Sequence, residues 1–89
     1  MVVLFETLRQ CTEEVTSSNI KAIGYAPIIP SGKLIVIMKN SPNVAYYYHN
    51  VPMFVYDNFM NSDSKGKFFI NEIKSKFKFE RIEQGKETW

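Results

Sequence analysis

His49 is the only histidine in the 89-residue chain, and it follows a run of three tyrosines, Tyr46-Tyr47-Tyr48; an imidazole is the commonest side chain for general-base work. The sequence sets no nucleophile and no orienting carboxylate beside it, so His49 reads as structural. Cys11, the single cysteine, and His49 supply one metal ligand each, short of the four that structural zinc takes. Asp57, Asp63, Glu72 and Glu80 show no paired spacing for acid–base catalysis. Ser64-Lys65-Gly66-Lys67 lacks the first glycine and the spacing of a phosphate loop, and reads as a helix entry with weak capacity for an anion. These residues predict a protein that is not an enzyme, with no catalytic residue, no metal and no cofactor.

Binding chemistry remains. Lys65, Lys67, Lys74, Lys76 and Lys78 fall within fourteen residues, with Glu72 the only acid among them. On a continuous helix Lys67, Lys74 and Lys78 share one face, at spacings of seven and four. Tyr47 alternates away from Tyr46 and Tyr48, which makes it the expected stacking platform. Lysines beside an open aromatic ring are the ingredients of single-strand binding, so Lys65, Lys67, Lys74, Lys78 and Tyr47 form the expected contact set for RNA or single-stranded DNA. The plainer alternatives are a solvated helix face for the lysines and a protein interface for the tyrosines. A net charge of +2 is too small to mark a nucleic-acid binder by itself.

These residues need elements to hold them. Phe69, Ile73 and Phe77 recur every fourth residue with Ile70 beside them, which predicts a helix with one apolar stripe. Asp63 or Ser64 caps it, and Glu72 and Lys76 form an i,i+4 pair. Upstream, Pro52 suits a first helical position, and Met53, Tyr56, Phe59 and Met60 predict a second, short helix. Before these, residues 20–29, 33–39 and 44–51 read as three strands, separated by turns at Pro30-Ser31-Gly32 and Asn40-Ser41-Pro42-Asn43. Residues 12–19 read as a polar connection, and 78–82 alternate as an optional last edge strand. In residues 2–11, Val2, Phe5 and Leu8 favour a helix, while Val2-Val3-Leu4-Phe5 also fits a strand.

Period-two alternation puts Leu34, Val36 and Met38 on one face of the sheet and Ile35 and Ile37 on the other. Two short helices cover one face only. The second is left for the N-terminal segment, a ligand or another copy of the chain, which predicts a homodimer with Ile35, Ile37, Phe5 and Leu8 at its interface.

An aromatic fraction of 15% and a hydrophobic fraction of 45% belong to a folded chain, and 89 residues make one domain. A lone thiol, with neither a signal-peptide pattern nor a membrane span, predicts a cytoplasmic protein.

The order Tyr46-x-Tyr48, Asn50-Val51-Pro52, Val55-Tyr56, then Ser64-x-Gly66-x-Phe68-Phe69 with Ile73, resembles the KTSC domain family. The resemblance runs from about residue 17 to 77, leaving an N-terminal segment 1–16 and a polar tail 83–89 outside it. It implies a small stand-alone module of bacteria and their viruses, and no activity for named residues. The expected fold is α+β: a three-stranded antiparallel β-meander packed against two C-terminal helices, with an additional N-terminal segment. The leading expectation for function is a non-enzymatic module, a phage or prophage accessory factor that binds RNA or single-stranded DNA. The rival is a protein-binding or self-associating module that inhibits or scaffolds a host protein.

Overall fold

The computed structural model describes residues 10–26 and 32–84. It contains one antiparallel sheet of five strands in sequence order: β1 (Thr12–Glu14), β2 (Ile20–Ala26), β3 (Gly32–Met38), β4 (Ser41–Val51) and β5 (Phe79–Glu83). The class is α+β as expected, but the three-stranded meander is wrong. Residues 20–26, 32–38 and 41–51 form the middle of a wider sheet, and both flanks add an edge strand. The polar segment read as a connection contains β1, which pairs Thr12 with Gly24 and Glu14 with Ala22. A three-residue edge strand needs no apolar alternation, and its glutamates discourage further pairing. At the opposite edge β5 pairs with β4, from Val44↔Glu83 to Tyr48↔Phe79.

The β3–β4 turn is tighter than the sequence implied. Met38 pairs with Ser41, so only Lys39 and Asn40 turn the chain, and Ser41, Pro42 and Asn43 belong to β4. Register shifts absorb the extra residues of β4 between the Ile37 and Met38 pairs, and again between those of Gly32 and Leu34. At the second shift Asn50 adopts φ 58°, a left-handed conformation that asparagine tolerates well.

Helix α1 (Met53–Met60) and a shorter α2 (Lys65–Phe68) follow, and α2 runs directly into a π-helical turn over Phe69–Ile73. Pro52 is the N-cap of α1 rather than its first helical residue, so the helix starts one residue later than expected. Ser64 caps α2, its hydroxyl accepting from the Lys67 N–H at 3.4 Å. The expected regular helix over the Phe69, Ile73 and Phe77 stripe is therefore mostly π: the Lys74 N–H donates to the Phe69 carbonyl at 2.8 Å, a reach of five residues.

The main core lies between the helices and one sheet face. Ile20, Ile23, Leu34, Val36, Tyr48 and Val51 from the sheet meet Phe59, Phe69 and Ile73. Phe77 packs against it, but Ile70 is 57% exposed. Met53, assigned to the inner stripe of α1, is exposed as well. Two contacts fasten α1: Tyr25 stacks on Tyr56 at 4.9 Å, and its hydroxyl donates to the Val51 carbonyl at 2.7 Å.

The opposite face gathers Ala22, Ile35, Ile37 and Ala45, with Tyr47 and Ile82 alongside. Ile35 and Ile37 are 1% and 2% exposed within a single chain, so neither offers a surface to a second copy. Phe5 and Leu8, the other expected interface residues, lie outside the described residues.

Candidate functional site

Where α2 and the π turn lie over the β3–β4 hairpin, a cleft opens with two lobes. The first, of about 320 Å³, is lined by Ser18, Asn19 and Gly66 together with the turn residues Lys39 and Asn40 and the π-turn residue Ile70. The second, of about 260 Å³, is lined by Ser41, Tyr46, Tyr48 and Phe79. Met38, Asn40, Phe69 and Lys74 border both, so the lobes are continuous.

Each wall has a local cause. The wide π turn brings Phe69 and Lys74 to the cleft border, Phe69 with its ring buried and Lys74 exposed. The two-residue hairpin turn carries Lys39 and Asn40 to the rim. Asn19 is held from both sides: its carbonyl accepts from the Lys39 N–H at 2.8 Å, and its side-chain nitrogen lies close to Gly66. A Cβ at Gly66 would sit 3.2 Å from that nitrogen, a tight fit against the cleft wall.

On the aromatic side Phe79 pairs with Tyr48 across the strands and leans on its ring at 5.2 Å and 34°, and on Tyr46 at 5.8 Å and 59°. Phe79 nevertheless stays 47% exposed. Tyr48 is buried beneath it, edge-on to Phe69 at 5.8 Å. Burial, reinforced by Tyr46, pushes its hydroxyl pKa up to about 12 and keeps it neutral. The Arg81 guanidinium hydrogen-bonds Tyr46 and contacts Glu83, and both interactions favour its charged form.

Among the described residues the two lobes have two lysines on their walls and no aspartate or glutamate. The amides, hydroxyls and ammonium groups suit an anion with polar neighbours, and the open ring suits a flat apolar group. Among the described residues no three of His, Cys, Asp and Glu come together as a metal site, and no helix is long and apolar enough to cross a membrane.

The expected contact set is divided by the structure. Lys74 is in the cleft. Lys65 is half-buried with its ammonium near the Ser62 carbonyl, and Lys67 is exposed on α2. Lys78 lies beyond the helical segment, where its carbonyl accepts from the His49 N–H at 2.9 Å, so it shares no helical face with Lys67 and Lys74. Lys76 pairs with Glu72 at 3.2 Å. Tyr47 points from the opposite sheet face, edge-on to His49 at 5.1 Å, and burial followed by the nearby Glu80 raises its pKa. His49 itself meets Glu80 at 3.3 Å. Lys39, Asn19 and Phe79 escaped the sequence reading. Phe79 left one signal, the alternation of residues 78–82 that admits an edge strand.

The sequence profile of the KTSC domain matches residues 16–77. No curated protein matches the chain. Among solved structures, a KTSC domain protein from Yersinia pestis is 37% identical with a TM-score of 0.72, over 80% of this chain and 94% of that one. The profile match spans the segment that holds β2, β3, β4 and both helices, and the chain belongs to the KTSC domain family.

Proposed function

We propose that this chain is a non-enzymatic, cytoplasmic module that binds RNA or single-stranded DNA, an accessory factor of a bacterium or bacterial virus. The observation that carries the reading is the charge of the cleft: Lys39 and Lys74 line it and, among the described residues, no carboxylate does, although the whole chain is only +2. Such a wall favours phosphate, and serine and asparagine neighbours complement sugar and phosphate oxygens. A salt series of oligonucleotide binding tests it. Two phosphate contacts on a single strand give a slope of about −1.4 in log K against log salt, and replacing Lys39 and Lys74 by Gln removes that much of it. Lys67→Gln with Lys78→Gln changes it less. Absence of binding by the wild type at about 50 mM salt, where such contacts are strongest, defeats the reading.

A second reading, a protein-binding or self-associating module, draws on a different surface from the one the sequence suggested. Met53 and Phe54 stand together on α1, with Phe54 66% exposed. Under this reading Phe54→Asp abolishes partner capture or dimerisation, read by sedimentation, and leaves the cleft variants without effect.

A further inference from the structure

Resting on the nucleic-acid reading above, we propose that the aromatic lobe of the cleft is a seat for one unpaired nucleobase, stacked on Phe79, with the adjoining phosphate at Lys74. Three observations meet there. Phe79 is packed on one side and open on the other: its contacts with Tyr48 and Tyr46 fix the ring, while nearly half of its surface stays in solvent. A ring held in place before the ligand arrives loses little entropy when a base stacks on it. The lobe has a volume of about 260 Å³, below the range of about 300–1,000 Å³ typical of drug-sized ligands, and suits a single flat heterocycle. Lys74 borders both lobes, so a strand whose base enters the aromatic lobe passes its phosphate over an ammonium group on the way to Lys39, Ser18 and Asn19.

Charge and edge groups agree with this occupant. Ser41, Asn40 and the Tyr46 hydroxyl surround the ring with donors and acceptors for a base edge. On β5 Arg81 leans on Tyr46, with its charge paired to Glu83, and so steadies the tyrosine rather than adding a free cation to the lobe. A base in a duplex is stacked above and below and cannot reach this ring, so the seat selects single strands. Phe79 also lies beyond residue 77, where the family match ends. The polar lobe is built from residues inside the match, whereas the stacking ring comes from β5 outside it.

The test uses the full chain and a ten-nucleotide single strand carrying 2-aminopurine at its centre, with the same strand in a duplex as control. Wild type is expected to bind the single strand, to change the 2-aminopurine fluorescence and to bind the duplex more weakly. Phe79→Leu keeps apolar bulk against Tyr48 without a π face, and Phe79→Trp keeps the face. The leucine variant should lose about 5- to 150-fold in affinity together with the fluorescence change, and the tryptophan variant should retain both. Circular-dichroism melts establish that both are folded. If Phe79→Leu binds like the wild type while Lys39→Gln/Lys74→Gln does not, the base seat is overturned and the nucleic-acid reading stands. If wild type binds no oligonucleotide at low salt, that reading falls and the seat falls with it.

Discussion

Ile73→Ala and Ile70→Ala remove the same three carbons from neighbouring positions, and the π turn predicts different outcomes for them. Ile73 is fully buried among Phe59, Phe69, Tyr48 and the β2–β3 isoleucine, leucine and valine side chains. Three carbons at about 0.8 kcal/mol each give about 2.4 kcal/mol of lost transfer energy. The void left behind brings the total into the range of about 2–5 kcal/mol. Ile70 is 57% exposed, so the same truncation forfeits roughly two-fifths of the transfer term, about 1 kcal/mol, and opens no cavity. In a domain of this size 1 kcal/mol moves Tm by about 4–8 °C. Ile70→Ala therefore lowers Tm by about that much. Ile73→Ala lowers it by at least about 10 °C and approaches the whole of a marginal stability of about 5–15 kcal/mol. Thermal melts by circular dichroism, with urea titrations for whichever variants stay folded, measure both. Equal losses at the two positions would refute the placement of Ile70 outside the core, and with it the π turn that turns Lys74 into the cleft.

Alkaline titration follows from Tyr48. Its hydroxyl pKa is raised from 10.0 to about 12 in the fold, so the stability that depends on a neutral Tyr48 is complete below about pH 10 and is lost as pH rises toward 12. Urea midpoints should fall across that window, Tyr48→Phe should flatten the fall, and an unchanged slope in that variant would refute the assignment. Gly24→Ala tests the attachment of β1: a Cβ there would lie 2.4 Å from the Cys11 carbonyl oxygen, a backbone atom that has to move. The expected cost is about 1–3 kcal/mol, with faster amide exchange in Thr12–Glu14, and wild-type stability and protection would count against the β1–β2 pairing.

The middle strands were legible because burial forces composition. Lys33 to Met38 reads as a strand on any scale, since both faces of β3 are covered and five of its side chains are apolar. Edge strands carry no such constraint. Thr12-Glu13-Glu14 has nothing to alternate, because its partners Gly24, Ile23 and Ala22 supply the pairing surface and solvent takes the rest. The turn at Lys39-Asn40 was overdrawn for a related reason: Ser41, Pro42 and Asn43 have poor strand propensity, and only the ladder shows that Ser41 pairs with Met38 while Pro42 and Asn43 fall in the register shift of β4. In the last helical segment the four-residue spacing of Phe69, Ile73 and Phe77 identified the buried positions but not the turn that produces them. A spacing of four lies between the repeats of α and π turns, and the position of Ile70 separates them.

The cleft was less legible than the core because no single stretch contains it. Ser18 and Asn19, the β3–β4 turn, the π turn and β5 each give one or two residues, and pairing across four segments is a property of register. Lysine content picked out Lys74, which borders the cleft, together with Lys78, since a continuous helix was assumed where the chain has already left it. Alternation placed Tyr47 opposite Tyr46 and Tyr48, as found, yet the open ring is not Tyr47. Two short helices cover the sheet over β2, β3 and β4, and no described residue of β5 joins their core. The strand beyond has the same face without the cover. Phe79 and Arg81, paired to Tyr48 and Tyr46, are thus half-anchored and half-exposed because the sheet is wider than its helical layer, and a three-stranded sheet would have had no such margin.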